Sequence, residues 1–251
     1  MITEQRDGAT AILTLDVPAR RNALSMALRE ALATAIARVE ADPTLRAVVL
    51  TGSAGNFSAG ADIGDMNAPD FAAGRDRFRI SHRLVRAIIE SRLPYIAAVE
   101  GWAVGAGFGL ALCCDSIVAA TDARFMAGFG KLGLVPDFAL LHTLPRRIGE
   151  GRARQLFLHG DAIDAPTAQT IGLVDALASP GTAREAAIAR AAHFAAAAPL
   201  PVAMTKSYLA QGLDAALDWE RNTQSALFQT TDHAEGKAAF LAKRPPAFTG
   251  A

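Results

Sequence analysis

Two loops rich in glycine and alanine contain the residues of this chain that are best placed for chemistry. The sequence FSAGAD spans residues 57–62, and AVGAGFG spans residues 103–109. Each loop follows an apolar run typical of a buried strand and leads toward a helix, and small side chains let a ligand touch the backbone. Since the first N–H groups of a helix are unpaired, two such loops that converge on one point would form an oxyanion hole. The alternative is that both are tight turns packed against their neighbours.

Other catalytic and binding motifs match poorly. The glycines at 105, 107 and 109 are followed by Leu110 where a dinucleotide-binding G-x-G-x-x-G motif has its third glycine, and no G-K-[ST] sequence is present. Asn56 replaces the first glycine of a G-x-S-x-G elbow, which makes Ser58 a weak nucleophile candidate. The sequence has no H-E-x-x-H or C-x-x-C motif and its histidines are scattered, so we expect no metal site.

Composition excludes several classes of partner. The 251 residues are 51% hydrophobic and 20% charged, with 25 basic and 25 acidic side chains, which predicts a globular chain that does not bind nucleic acid. The two cysteines, Cys113 and Cys114, are adjacent, which favours a reducing, cytoplasmic setting over a structural disulfide. No signal peptide is evident at the N-terminus. The apolar stretch 101–114 is shorter than the roughly 20 residues that a membrane helix needs, so no membrane association is expected.

Strands and helices alternate along the first part of the chain, which predicts an α/β fold. The sequences TAILTLD, LRAVVLTG, PYIAAVEG and DSIVAAT read as strands. We expect Ser25 to cap a helix that ends before Asp42, residues 75–90 to form a second helix, and Asp164 to cap a third. Helical sequence dominates after about residue 140. We therefore predict a core over 1–195 and a helical C-terminal region over 196–251.

Six stretches together resemble the enoyl-CoA hydratase/isomerase, or crotonase, superfamily, and they cover most of the chain. They are RRNALS (20–25), VVLTGSAGNFSAGADIGDM (48–66), PYIAAVEGWAVGAGFGLALCCD (94–115), ARFMAGFGKLGLVPD (123–137), GDAIDAPTAQTIGLVDAL (160–177) and AFLAKRPPAF (239–248). The resemblance implies a crotonase-like spiral of ββα units with a helical C-terminal trimerisation region. It also implies an acyl-CoA thioester substrate, no cofactor beyond that CoA, and a homotrimer or a hexamer built as a dimer of trimers.

The same resemblance assigns site residues. It makes the backbone N–H groups of Ala61 and Ala106 the donors of the oxyanion hole. Arg20 and Arg21 lie where relatives contact the CoA phosphates, although an exposed salt bridge is an equal alternative. Asp62 is expected to fix its loop by hydrogen bonds. The substrate-binding positions implied by the resemblance are Arg20, Arg21, Ala59, Asp62, Ile63, Gly105, Gly109, Phe129, Phe240 and Lys243.

Both glutamates that a hydratase of this superfamily uses are absent, because Gly109 and Phe129 occupy their positions. Asp137 lies where some relatives that shift double bonds have an aspartate, and one carboxylate is enough to move a proton between two carbons. Asp137 could instead cap the helical pattern that follows it. The glycines usual after this aspartate are replaced by Phe138 and Ala139.

We therefore expect an enoyl-CoA isomerase in which Asp137 is the base and an enolate is held in the oxyanion hole. Two alternatives stay open: a hydratase with a rearranged site, and a non-catalytic subunit that binds acyl-CoA or supports assembly. His82 is expected on the helix surface or the pocket wall rather than in the chemistry.

Overall fold

The computed structural model describes residues 1–251. The strands are β1 (Ile2–Asp7), β2 (Thr10–Leu15), β3 (Ala47–Gly52), β4 (Tyr95–Val99), β5 (Trp102–Val104), β6 (Ser116–Ala120), β7 (Arg124–Met126), β8 (Ile163–Asp164) and β9 (Ala176–Ala178). The α-helices are α1 (Met26–Ala41), α2 (Phe71–Ile89), α3 (Ala106–Leu112), α4 (Leu140–Ile148), α5 (Glu150–His159), α6 (Ala165–Thr170), α7 (Ala183–Ala191), α8 (Pro199–Leu209), α9 (Leu213–Leu227) and α10 (Thr231–Leu241).

A six-stranded sheet forms the centre of the fold, in the order β1-β2-β3-β4-β6-β9. Only the β1–β2 pair is antiparallel, and the other neighbours are parallel. Every residue of β4 and all but the last of β3 are buried, as expected for central strands covered on both faces. A second sheet has the order β5-β7-β8. The predicted α/β class and the four predicted strands are confirmed.

Local capping chemistry sets the ends of several helices. The Ser25 hydroxyl accepts a hydrogen bond from the Leu28 N–H at the start of α1, and the Asp164 carboxylate accepts from the Thr167 N–H at the start of α6. Helix α2 begins at Phe71, earlier than the predicted residue 75, because the Asp70 side chain caps it. The predictions of both the Ser25 and the Asp164 caps are confirmed.

The helices of the region 196–251 pack on the core. Lys206 of α8 is buried, donates to the Ile88 carbonyl at 3.3 Å and pairs with Asp115. Helix α9 lies so close to α2 that a methyl group on Gly74 would be 3.0 Å from the Ser225 side chain. Helix α9 therefore packs against α2, which matters for the site below. The division at residue 195 remains a prediction.

Three further features bear on the partner classes considered above. No helix taken alone combines the length and apolar character needed to cross a membrane, although one pair bent by 113°, Ala183–Ala195 with Pro199–Leu209, meets both criteria jointly. No three His, Cys, Asp or Glu side chains group in a way that would hold a metal ion. Cys113 and Cys114 are both buried and unpaired.

Candidate active site

The two small-residue loops lie side by side. The Ser58 N–H donates to the Trp102 carbonyl at 2.9 Å, and the Val104 N–H donates to the Ser58 carbonyl at 3.0 Å. A methyl group on Gly107 would lie 2.7 Å from Cβ of Ser58, so this contact requires glycine. The segment around Ser58 is therefore paired with the short strand β5 through backbone hydrogen bonds.

Two free amide donors lie just after these two paired segments in the chain. Ala106 is the first residue of α3, and its N–H makes no hydrogen bond; the N–H of Ala61 makes none either. Gly105 precedes α3 with φ of 52°, a left-handed value that favours glycine. A methyl group on Gly60 would lie 3.8 Å from the Ala106 nitrogen, so the Gly60–Ala61 backbone runs directly beside the start of α3. The two amides that the family resemblance assigns to the oxyanion hole are thus neighbours in space.

Asp62 anchors the first loop. Its Oδ1 accepts the Gly64 N–H at 3.0 Å, and its Oδ2 lies 2.8 Å from Nη1 of Arg20. Arg20 therefore makes the salt bridge that the sequence left as an alternative, yet its side chain is 64% exposed and keeps free donors. Arg21 is exposed, has φ of 48°, and accepts the Ala59 N–H through its carbonyl.

The remaining predicted contact residues fall into two groups. Ala59 is exposed, Ile63 is half-buried at the start of a short 3-10 turn, and Phe129 is buried. The Phe129 ring lies 3.8 Å from the place of a methyl group on Gly105, so it adjoins the second loop. In contrast, Phe240 and Lys243 lie at the exposed end of α10, and neither makes a hydrogen bond to the two loops.

Asp137 is buried and does not cap α4. The N-cap position of α4 is Ala139, with no side-chain hydrogen bond, and the Leu140 N–H donates to the main-chain carbonyl of Asp137. The alternative that its side chain is a helix cap is therefore wrong. The carboxylate oxygen Oδ1 is buried without a hydrogen-bond partner, and Oδ2 lies 3.5 Å from Nε2 of Gln224. Such an oxygen is free to take a proton.

The surroundings of Asp137 set its acidity. Burial is the largest effect and, together with the negative charge of Glu220, raises the pKa of Asp137 to about 7. The guanidinium groups of Arg29 and Arg77 oppose this shift. Arg77 donates Nη1 to the Asp65 carbonyl at 2.7 Å, and its Nη2 is buried without a partner. A carboxylate with a pKa near neutrality is suited to general base catalysis.

Helix α3 extends from the free Ala106 amide to the main chain of Asp137. A methyl group on Gly109 would lie 3.1 Å from the Asp137 carbonyl oxygen and 2.5 Å from Cβ of Phe138. Gly109 is three residues after Ala106, a rise of about 4.5 Å along the helix. The Asp137 backbone therefore lies about one helical turn from the free Ala106 amide. Gly109 itself is buried against Phe138, which fills the space where a longer side chain at 109 would lie.

Replacing Gly109 with alanine is expected to destabilise the protein by about 1–3 kcal/mol, because the new methyl group would clash with Cβ of Phe138, which cannot rotate away. Gly151 is the matched control, since a methyl group there meets no atom within 4 Å. Urea unfolding at equilibrium measures both variants. Equal stabilities for G109A and G151A would contradict the packing described here.

Several polar residues of the site were not found from the sequence. His82 was expected on a surface or pocket wall, but it is buried, and its Nε2 lies 2.8 Å from Oε1 of Glu220. Glu220 and Gln224 come from α9 and lie on its buried face. A signal for them exists in the pattern of that helix, because positions 213, 217, 220 and 224 are spaced as one helical face and two of the four are polar.

Comparison with known proteins shows the family of this chain. The family described as enoyl-CoA hydratase/isomerase matches residues 5–251. The 1,2-epoxyphenylacetyl-CoA isomerase of Escherichia coli is 37% identical over 248 residues, which cover 95% of this chain and 94% of that protein. The 2,3-dehydroadipyl-CoA hydratase of the same organism is 37% identical over 249 residues, which cover 98% and 97%.

Solved structures agree as well. An enoyl-CoA hydratase from Mycobacterium avium subsp. paratuberculosis superposes with a TM-score of 0.88 at 30% identity, covering 99% of this chain and 98% of its own. An enoyl-CoA hydratase/isomerase from Pseudoalteromonas atlantica gives the same TM-score and identity, with 99% of each chain covered. The crotonase fold is thereby confirmed, and the chain belongs to the enoyl-CoA hydratase/isomerase family.

Proposed function

We propose that this protein isomerises the double bond of an enoyl-CoA thioester, with Asp137 as the base and the N–H groups of Ala61 and Ala106 as the oxyanion hole. The observation that carries the proposal is the buried carboxylate oxygen of Asp137 that lacks a partner, on a residue whose main chain lies about one turn of α3 from a free amide donor. The two donors act where negative charge develops, so they stabilise the enolate more than the substrate.

The proposed reaction needs one proton carrier. Asp137 takes a proton from C2 of a 3-enoyl-CoA, and the electron pair of that C–H bond moves onto the thioester oxygen, which gives an enolate conjugated with the C3=C4 double bond. The dienolate oxygen then accepts hydrogen bonds from the Ala61 and Ala106 amides. When the charge collapses, the proton passes from Asp137 to C4, the double bond shifts to C2=C3, and the 2-enoyl-CoA forms. The step uses only the substrate and these groups, so no cofactor enters it.

Hydration is less well supported by the residues present. Adding water requires a base for the water and an acid for the carbanion, and the two positions that the superfamily uses hold Gly109 and Phe129. Relatives named as an isomerase and as a hydratase are equally identical to this chain, so identity alone does not separate the two activities. The packing of Phe138 against Gly109 favours the isomerase, because it fills the place of a carboxylate at 109.

The test supplies a 3-enoyl-CoA and, separately, a 2-enoyl-CoA of the same chain length. We expect the first to yield the conjugated 2-enoyl-CoA, followed by its absorbance, and the second to yield no 3-hydroxyacyl-CoA by mass spectrometry. Turnover in D2O should place deuterium at C2 or C4 when the carboxylate proton exchanges. Formation of the 3-hydroxyacyl-CoA would support the rearranged hydratase, and tight binding without any turnover would support the non-catalytic subunit.

The assembly and the CoA contacts are further parts of this proposal. Helix α8 exposes Leu200, Met204, Tyr208 and Leu209, each at least 66% accessible, and we propose that neighbouring copies cover this face in a homotrimer or hexamer. Arg20 and Arg21 remain our candidates for the CoA phosphates, with Phe240 and Lys243 at the end of α10. We also propose a cytoplasmic location, because both cysteines are unpaired thiols.

A further inference from the structure

Two consecutive residues after Asp137 adopt a conformation that their side chains disfavour. Phe138 has φ of 56° and Ala139 has φ of 57°. The left-handed region is disfavoured for a residue with Cβ, and neither position is glycine. Both residues are buried. Contacts elsewhere must therefore compensate for the cost of this turn. The turn directly follows Asp137 and so helps to set the direction of the Asp137 side chain.

The carboxylate of Glu220 supplies these contacts. Its Oε1 accepts the Phe138 N–H at 3.0 Å, and its Oε2 accepts the Ala139 N–H at 2.9 Å. Successive N–H groups in such a turn form a concave site for an anion, known as a nest. His82 of α2 holds Oε1 from the other side at 2.8 Å. Each oxygen of Glu220 is thus occupied, and its side chain is only 3% exposed.

Glu220 therefore does not touch the substrate. We infer that Glu220 is a positioning residue for Asp137. Glu220 holds the left-handed turn at Phe138 and Ala139, and its negative charge acts on the Asp137 carboxylate. This inference rests on the proposed function for its effect on turnover. Its structural part rests on the contacts alone.

The charge of Glu220 has a second consequence. Glu220 raises the pKa of Asp137, so removing that charge should lower it. The other groups facing Asp137 are Arg29 of α1, Arg77 of α2 and the amide of Gln224 on α9. Glu220 in turn faces His82 of α2, Arg29 and the buried Cys113 thiol. Asp65 lies near Arg29 and Arg77. Of these groups, only Glu220 is an acid that raises the Asp137 pKa.

Glu220→Gln tests both roles. Glutamine keeps the shape but offers an N–H₂ group where one backbone amide needs an acceptor, so we expect the plateau kcat to fall about 10- to 100-fold with a smaller change in KM. The acid limb of the pH–rate profile should move to lower pH. Glu220→Asp keeps the charge but is one methylene shorter, so its plateau should fall while its acid limb stays closer to that of the native protein.

A second substitution separates positioning from general damage. Glycine adopts a positive φ at no steric cost, so Ala139→Gly should restore part of the kcat lost in Glu220→Gln, measured against Ala139→Gly alone. The acid limb should stay at the lower pH, since the charge is still missing. A double variant as impaired as the product of the two single effects would overturn the positioning role.

The pKa of Asp137 can be read without turnover. In protein labelled with carboxyl-¹³C aspartate, the Asp137 resonance is the one absent from Asp137→Asn, and its titration gives the pKa directly. We expect a lower value in Glu220→Gln than in the native protein. Identical titrations would overturn the role of Glu220, whereas a shifted titration in a protein that turns over no enoyl-CoA would overturn only the proposed function.

Discussion

Replacing Asp137 with asparagine is expected to lower kcat for double-bond migration about 10³-fold, within the range that a positioned general base contributes. Asparagine keeps the size of the side chain but cannot take a proton. Binding of a 3-enoyl-CoA should change little, because the proposed oxyanion donors and the proposed CoA contacts remain. Steady-state kinetics and calorimetric titration with a non-reacting acyl-CoA measure the two quantities separately.

The control for this variant is Asp76→Asn on α2, whose side chain is 74% exposed. It makes the same chemical change on an exposed side chain that contacts neither Asp137 nor Glu220, so kcat should stay at the native value. Turnover in Asp137→Asn within threefold of native would remove Asp137 from the mechanism.

Native enzyme should also show a pH dependence that follows from the same carboxylate. The base acts when it is ionised, and the pKa of Asp137 is raised to about 7 by burial and by Glu220. Activity should therefore rise with pH through about 7 and level off above it. An unshifted aspartate, with its ordinary pKa near 4, would give a flat profile over this range.

Stability should change in the opposite sense. Because the folded protein keeps on Asp137 a proton that the unfolded chain releases, folding stability decreases as the pH rises from about 4 to about 7. Asp137→Asn has no such charge to bury. Its thermal midpoint at pH 8 should therefore exceed that of the native protein, although its activity is lost.

The second large effect is expected from Ala106→Pro, which removes one of the two proposed oxyanion donors. Proline has no N–H, and its ring would occupy the direction in which the Ala106 hydrogen points. We expect kcat to fall about 10²- to 10³-fold. Proline is tolerated at the first position of a helix, and the preceding Gly105 has ψ of −121°, outside the helical region, so the fold should persist.

Ala106→Gly is the matched control, because it keeps the amide donor and changes only the side chain. Its kcat should remain near the native value. Thermal unfolding of both variants checks that α3 is intact. If the proline variant turns over substrate as fast as the glycine variant, the Ala106 amide does not stabilise the enolate.

Features that depend on neighbouring residues in the chain could be predicted from the sequence. Ser25 and Asp164 lie directly before helical patterns, and their side chains reach amides three residues on. The continuous apolar runs of β3 and β4 indicate covered strands for the same local reason. The pairing of the loops at 57–62 and 103–109 came from the family resemblance, since spacing alone left a packing explanation open.

The contacts of Glu220 with His82 and with the turn after Asp137 could not be predicted, because they join distant parts of the chain. Glu220 lies 138 residues from His82 and 81 residues from Ala139. Intrinsic preferences even oppose the turn at Phe138 and Ala139, since residues with Cβ avoid a positive φ. Only the packing of α9 on α2 brings Glu220 to that turn, and this packing is a tertiary feature.

The close fit of Phe138 against Gly109 has a consequence for the redesign of this site. Even a methyl group at 109 would lie 2.5 Å from Cβ of Phe138, and every residue except glycine carries that atom. A carboxylate at 109 therefore requires at least a second substitution, to glycine at 138. Glutamate introduced at 109 alone should destabilise the protein rather than create a hydratase.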